Sequence, residues 1–246
     1  MSQIARGAFA LLLGISAPAA AAPAASVPAP AFKLGDSWVY DQTTEKGPSG
    51  FGQVRLDLVI ERLEGETMMV GIKADGAPTA FQDLEVGIDW SQRRIIDGQD
   101  RMTTRPLSFP MSVGQSWTVD YVDTNRHGAQ TSAHIKQTYT VVGWEDVTVP
   151  AGTFHAIKVV SKGIDKATIE VANTAVAGMV AGAGGATSVA HTQRGGTGQL
   201  TTSAYAEYYY VPELKNYVKT IEEQYNTDNV RVMRTTRALV SYKAAS

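Results

Sequence analysis

After Phe32, apolar and polar side chains alternate along most of the chain with a period close to two. Val54, Leu56, Leu58 and Ile60 fall on one face, and Arg55, Asp57 and Glu61 on the other. This spacing predicts a half-buried strand, because successive β side chains point to opposite faces. Glu64-Gly65-Glu66 predicts a turn, Thr67 to Lys73 a returning strand, and Ala74 to Pro78 the next turn. Strands are expected around 80–90 and 92–96, separated by Ser91 and followed by a turn at Asp97-Gly98. Trp117 to Asp123 alternates again, and Asn125-Arg126-His127-Gly128 breaks the pattern. The run Thr131 to Val149 reads as two strands with a bend near Gly143. Val149-Pro150-Ala151-Gly152-Thr153 predicts a hairpin: Pro presets one corner and Gly accepts a positive φ. Phe154 to Val160 returns, and Tyr205–Val211, Tyr217–Tyr225 and Val230–Tyr242 predict three further strands. Consecutive strands joined by short turns favour antiparallel pairing. The expected fold is therefore mainly β. It is an antiparallel meander forming a curved open sheet or partial barrel, a single domain over 32–246 with one short helix or loop insertion.

That insertion is the Ala/Gly-rich stretch at about 165–200. Ile169, Ala172, Val176 and Met179 have helical spacing, which predicts a short helix within Lys166 to Gly182, and Gly182 to Gly198 reads as loop. Gly178 and Gly182 also make a small-xxx-small pair, but a flexible insertion explains the segment as well. A short internal echo stands out elsewhere. Leu34-Gly35-Asp36-Ser37-Trp38 recurs as Val113-Gly114-Gln115-Ser116-Trp117, each with a Phe upstream (Phe32, Phe109) and a strand downstream. Two similar parts of one curved sheet would produce it.

Residues 1–22 read as a secretory signal: Arg6, the uncharged apolar run Gly7 to Ile15, then the small residues Ser16 to Ala22. The apolar run is shorter than the ~20 residues a spanning helix needs. Residues 23–31 read as a flexible Pro/Ala linker, with order expected from Phe32. The chain holds no cysteine, so a thiol-linked lipid anchor, disulfides and thiolate chemistry are not expected. The expected location is periplasmic or secreted, with no transmembrane helix after cleavage. Removal of Arg6 leaves 21 basic residues against 24 acids. No Lys/Arg cluster stands out, and nucleic acid is not an expected partner.

Three ordered strings carry a resemblance. They are Phe32-Lys-Leu-Gly-Asp-Ser-Trp-Val-Tyr40, Val147-Thr-Val-Pro-Ala-Gly-Thr-Phe-His-Ala-Ile-Lys-Val159 and Tyr208-Tyr-Tyr-Val-Pro-Glu-Leu-Lys-Asn-Tyr-Val-Lys219. Over roughly residues 32–220 the chain resembles uncharacterised exported β proteins of Gram-negative bacteria, grouped as domain of unknown function 3108 and its TapB-like relatives. The resemblance implies an open or partly closed antiparallel sheet in the cell envelope. It implies no catalytic residues, and the Ala/Gly insertion departs from it.

Chemistry is sparse. His127, His134, His155 and His191 show no zinc-ligand spacing, and neither metal nor cofactor is expected. No GxSxG or SxxK string is present. Gly195-Gly196-Thr197-Gly198 lacks the Lys and helix of a phosphate loop and reads as loop. The neighbours Glu145-Asp146 and Glu222-Glu223 point to opposite faces, and Asp83, Glu85 and Asp89 read as a solvated face. The aromatic set is the candidate site: Trp38, Tyr40, Trp117, Tyr121, Trp144, Tyr208, Tyr209 and Tyr210, all on predicted strands. On a curved sheet such rings line an apolar cavity or a sugar-stacking surface; the alternative is an ordinary core. Three functions stay open. The first is an exported, non-enzymatic protein binding a lipid, glycan or protein partner. The second is an assembly factor pairing through sheet edges. The third is a hydrolase with a site assembled from distant residues.

Overall fold

The computed structural model describes residues 26–124, 130–171, 174–182, 185–193 and 196–245. The expected signal at 1–22 and the Asn125–Gly128 break lie outside the described residues. Fourteen strands are described: β1 (Ser37–Glu45), β2 (Phe51–Glu64), β3 (Thr67–Ala74), β4 (Gln82–Gly87), β5 (Gln92–Ile96), β6 (Gln99–Thr104) and β7 (Ser116–Asp123). Then follow β8 (Gln130–Val149), β9 (Gly152–Val171), β10 (Thr174–Gly182), β11 (Gly185–Gln193), β12 (Gly196–Val211), β13 (Asn216–Tyr225) and β14 (Arg231–Lys243). Ten of them form one open sheet in the order β4-β3-β2-β1-β14-β13-β12-β9-β8-β7. Every described pairing is antiparallel, so the expected mainly β architecture is the observed one. The chain's first and last long strands pair in the middle of the sheet, Thr43 opposite Thr236. Among the described residues no helix is long and apolar enough to cross a membrane.

Local chemistry sets the corners. At β5–β6, Ile96 pairs with Gln99 around Asp97 (φ 52°) and Gly98 (φ 72°). Both central residues take positive φ, the backbone that matches the twist of flanking strands. At β8–β9, Val149 pairs with Gly152 around Pro150-Ala151. The bend expected near Gly143 is present, but it does not divide the run into two strands. β8 is one 20-residue strand, with a bulge between Val141 and Gly143 that bends it while pairing continues. Further bulges at Val39/Tyr40, Ile60/Arg62 and Tyr209/Tyr210 add local twist.

Two expectations are corrected. The helix within Lys166 to Gly182 is not formed: β9 runs to Val171 and Thr174–Gly182 is a strand paired with β11. The loop at Gly182 to Gly198 is likewise replaced by β11 and the start of β12. The antiparallel ladder from the pair Thr174/Gln193 to the pair Gly182/Gly185 takes up this backbone instead. Second, order begins before Phe32. Val27, inside the expected linker, is buried and exchanges two backbone hydrogen bonds of 2.8 Å with Met111.

The core divides into two clusters. One gathers around Trp38, Ile60, Met68 and Val70, the other around Met111, Tyr139, Ile157 and Tyr210. Trp90 packs against both. Along β12, Tyr208 and Tyr210 join the second cluster and Tyr209 the first, so both sides of this strand are covered. Burying these side chains contributes about 25 cal/mol per Å² of apolar surface removed from water.

Candidate functional site

Cross-strand register brings a set of distant residues onto one face. Tyr40 of β1 stands opposite Leu56 of β2, and Leu58 opposite Ile72 of β3. Arg237 of β14 stands opposite both Gln42 and Thr220, and Thr220 opposite Tyr208. Directly paired residues share a face, so these side chains converge. They line a cleft of about 290 Å³, just under the usual range of ligand-site volumes. Leu56, Leu58 and Ile72 make an apolar wall; Tyr40, Tyr208, Tyr217 and Trp90 supply rings; Thr220, Glu222 and Arg237 make a polar floor.

Trp90 is set by tertiary packing. It has φ 58°, sits edge-on to Phe32 at 6.0 Å and Trp38 at 5.8 Å, and donates its indole N–H to the Lys215 carbonyl at 3.4 Å. Tyr217 lies 6.2 Å from it. The Tyr40 hydroxyl donates to the Tyr217 carbonyl at 2.6 Å, which fixes that ring against the strand. The Arg237 guanidinium spends its Nε–H on Gln42 Oε1 at 2.6 Å, and no carboxylate pairs with it among the described residues.

Two hydroxyls in the cleft wall, Tyr217 Oη and Thr220 Oγ1, are buried and have no hydrogen-bond partner among the described residues. Tyr217 is 9% exposed and Thr220 4%. Buried polar atoms are paired in more than about nine cases in ten, so two orphans in one cleft call for an explanation. Burial raises the Tyr40, Tyr208 and Tyr217 hydroxyls above the ordinary tyrosine value, Tyr208 further because of the Glu222 charge. All three remain neutral O–H groups at physiological pH.

A second cavity of about 510 Å³ lies beside the first. Gln224, two residues beyond Glu222 on β13, and Ala204, four before Tyr208 on β12, both line it. Even spacing keeps both cavities on one face. Tyr121, Gln137 and Asp165 complete its polar wall, and Arg94 reaches Asp123 at 3.5 Å.

The aromatic set expected from sequence is split by the fold. Tyr40 and Tyr208 line the cleft and Tyr121 the second cavity. Trp38 and Tyr210 are fully buried, with Trp38 donating to the Leu214 carbonyl at 2.9 Å and Tyr210 packed edge-on to Phe109. Trp117 stacks on Tyr139 at 5.7 Å and donates to the Arg105 carbonyl at 2.7 Å. Trp144 is exposed and stacks on His155 at 5.2 Å. Tyr209, on the other side of β12, lies under Lys158 at 4.9 Å and bonds Glu207. Burial opposes the Glu207 charge, but hydrogen bonds from Tyr205, Tyr209 and Lys158 outweigh it and hold the carboxyl below its ordinary value. Sequence reasoning missed Trp90, Tyr217, Thr220, Glu222 and Arg237. The last four sit in predicted strands, and the even spacing of Thr220 and Glu222 was the available signal; nothing local marked Trp90.

His134 bonds Asp120 and His155 bonds Asp146, each at 2.7 Å on an exposed surface. Among the described residues, the hydrogen bond of each imidazole goes to its Asp and none goes to a serine or threonine. Among the described residues no group of His, Asp and Glu could hold a metal ion.

No protein-family model and no curated protein matches the chain. Solved structures similar to it include a candidate lipoprotein of Parabacteroides distasonis, 13% identical, with a TM-score of 0.43 over 88% of this chain and 97% of that one. A candidate exported protein of Bacteroides fragilis with a YmcC-like fold is 16% identical, with a TM-score of 0.39 over 89% and 99%. The hypothetical lipoprotein YmcC of Escherichia coli is 12% identical, with a TM-score of 0.35 over 86% and 85%.

Proposed function

We propose that this chain is an exported, soluble, non-enzymatic binding protein of the periplasm or medium that holds a ligand in the cleft between β2, β13 and Trp90. The observation that carries the reading is the pair of orphan hydroxyls, Tyr217 Oη and Thr220 Oγ1, in the wall of an aromatic cleft. Leaving a buried hydroxyl unpaired costs about 1–3 kcal/mol, a cost that a hydrogen-bonding ligand removes once the lining side chains admit it. A bare alkyl chain would leave both orphans unpaired and would desolvate Glu222 and Arg237, so the floor disfavours a simple lipid tail. Edge pairing has less support: β4, one outer strand, carries exposed Asp83 and Glu85, charges that oppose strand addition.

The test begins without a ligand. Tyr217→Phe and Thr220→Val should leave the free protein as stable as the parent or up to about 1 kcal/mol more stable, because each removes an unpaired group. The same variants should diminish the thermal shift given by whatever small molecule native mass spectrometry finds on protein released from an envelope. A loss of more than about 1 kcal/mol in the free variants would mean that both hydroxyls already serve the fold. An absence of any bound species together with that loss would end the carrier reading.

A further inference from the structure

The ligand class follows from how the two cavities adjoin, and it rests on the binding reading above. We infer that this face holds an oligosaccharide, one unit in the aromatic cleft and the following units along β12 and β13 into the second cavity. Three observations lead there. First, the cleft combines rings with hydrogen-bonding side chains of both kinds: Trp90 and Tyr217 beside Thr220, Glu222 and Arg237. A sugar ring has apolar C–H faces for the rings and a rim of hydroxyls that both donate and accept. Admitted between these side chains, it pairs with the buried Tyr217 Oη and Thr220 Oγ1 whichever way their protons point.

Second, the track continues. Glu222 and Gln224 stand side by side on one face of β13, one in each cavity. Residues two apart on a strand are separated by ~6.6 Å, comparable to one pyranose unit. The second cavity is the larger, at about 510 Å³ against about 290 Å³, and its wall is again polar: Gln137, Gln224, Thr202 and Tyr121 stand beside Asp165 and the Arg94–Asp123 pair.

Third, the face offers no main-chain edge. β12 is paired on both sides by β9 and β13, and β13 by β12 and β14. An extended peptide laid here would find its backbone N–H and C=O groups without backbone partners, whereas a saccharide needs only side chains.

The experiment is calorimetric titration of the full protein with maltose-, cello-, chito- and uronate-series saccharides from one to six units, with decanoate and a neutral decapeptide alongside. The expected result is that at least one series binds and that its Kd falls by about tenfold or more between one and four units, as one further hydrogen-bonded or stacked unit gives. Gln224→Ala, in the second cavity only, should weaken the longer saccharide several-fold and leave the single unit unchanged. Thr220→Val should weaken both. Affinity independent of chain length, or insensitive to Gln224→Ala, overturns the inference and leaves the carrier reading in place. Binding of decanoate or peptide with no saccharide response does the same. No binding by any probe, with no co-purified species, overturns both.

Discussion

The echo between residues 32–38 and 109–117 is one backbone device used twice under different electrostatic loads. At the first copy Asp36 N–H donates to the Lys33 carbonyl at 3.1 Å, with Gly35 at φ 85°. At the second, Gln115 N–H donates to the Ser112 carbonyl at 3.0 Å, with Gly114 at φ 87°. Each turn then locks to a neighbouring strand by the same pair of bonds. Gly35 donates to Ile60 and Ile60 to Asp36; Gly114 donates to Val141 and Val141 to Gln115. Each side chain at the fourth position reaches back to its turn, Asp36 Oδ2 accepting from Lys33 N–H at 2.9 Å and Gln115 Oε1 from Ser112 N–H at 3.0 Å. Each following Trp donates to a distant carbonyl.

The copies differ in what else they hold. Gln115 adds one neutral bond to the Ser108 carbonyl at 3.1 Å. Asp36 is fully buried, pairs with Lys215 Nζ at 2.7 Å, and accepts the Ala245 N–H at 2.9 Å. It joins the first turn, the β12–β13 turn and the C-terminal segment beyond β14. Lys215, in turn, offers its carbonyl to Trp90, so the Asp36 anchor stands directly behind the cleft. The same local sequence pattern thus makes an ordinary turn at a sheet edge and a tertiary clamp at its centre.

The comparison breaks most visibly at the clamp. Asp36→Ala leaves Lys215 without its counter-charge, and removing one partner of a buried pair costs about 3 kcal/mol or more. A fall in Tm of roughly 6 °C or more follows for a chain of this size, measurable by calorimetry. Gln115→Ala should not approach it.

Acid separates the copies next. Burial opposes ionisation of Asp36, but Lys215 and two backbone N–H groups overcome it, and its carboxyl lies below the ordinary value. The folded state therefore holds that proton more weakly than the unfolded chain does. The stabilisation is complete above the unfolded value near ~3.9 and is lost as pH falls through the folded value. Asp36→Asn should flatten denaturant midpoints measured between about pH 4 and pH 2, relative to the parent; an unchanged slope would remove the charge from the account.

Smaller effects sharpen the likeness instead. Gly35→Ala and Gly114→Ala should each cost about 1–2 kcal/mol, since both need the same left-handed backbone and neither new Cβ is crowded. Unequal losses would show that the turns are not one device. Gln115→Ala comes last, at about 1 kcal/mol for two partly buried hydrogen bonds.

Much of this fold was legible in the residues. Alternation located β2, β7, β13 and β14, and Asp97-Gly98 and Pro150-Ala151-Gly152 placed their hairpins, because strand period and turn backbone are properties of neighbours in sequence. The echo's shared backbone was legible for the same reason. Alternation did not say which faces would be covered. Both sides of β12 are buried, so Tyr209 and Tyr210 both became core, while exposed Trp144 joined neither cavity. The Ala/Gly stretch read as helix from the spacing of Ile169, Ala172, Val176 and Met179, and only cross-strand pairing decided for β10 and β11. The cleft was beyond local reading. Trp90 is held by Phe32, Trp38 and Lys215, and Arg237 faces Thr220 by register alone; such contacts depend on the order of strands in the sheet. Sequence by itself determined most of the strands and their corners, and tertiary structure decided which side chains meet, because a strand's period is local and its neighbours are not.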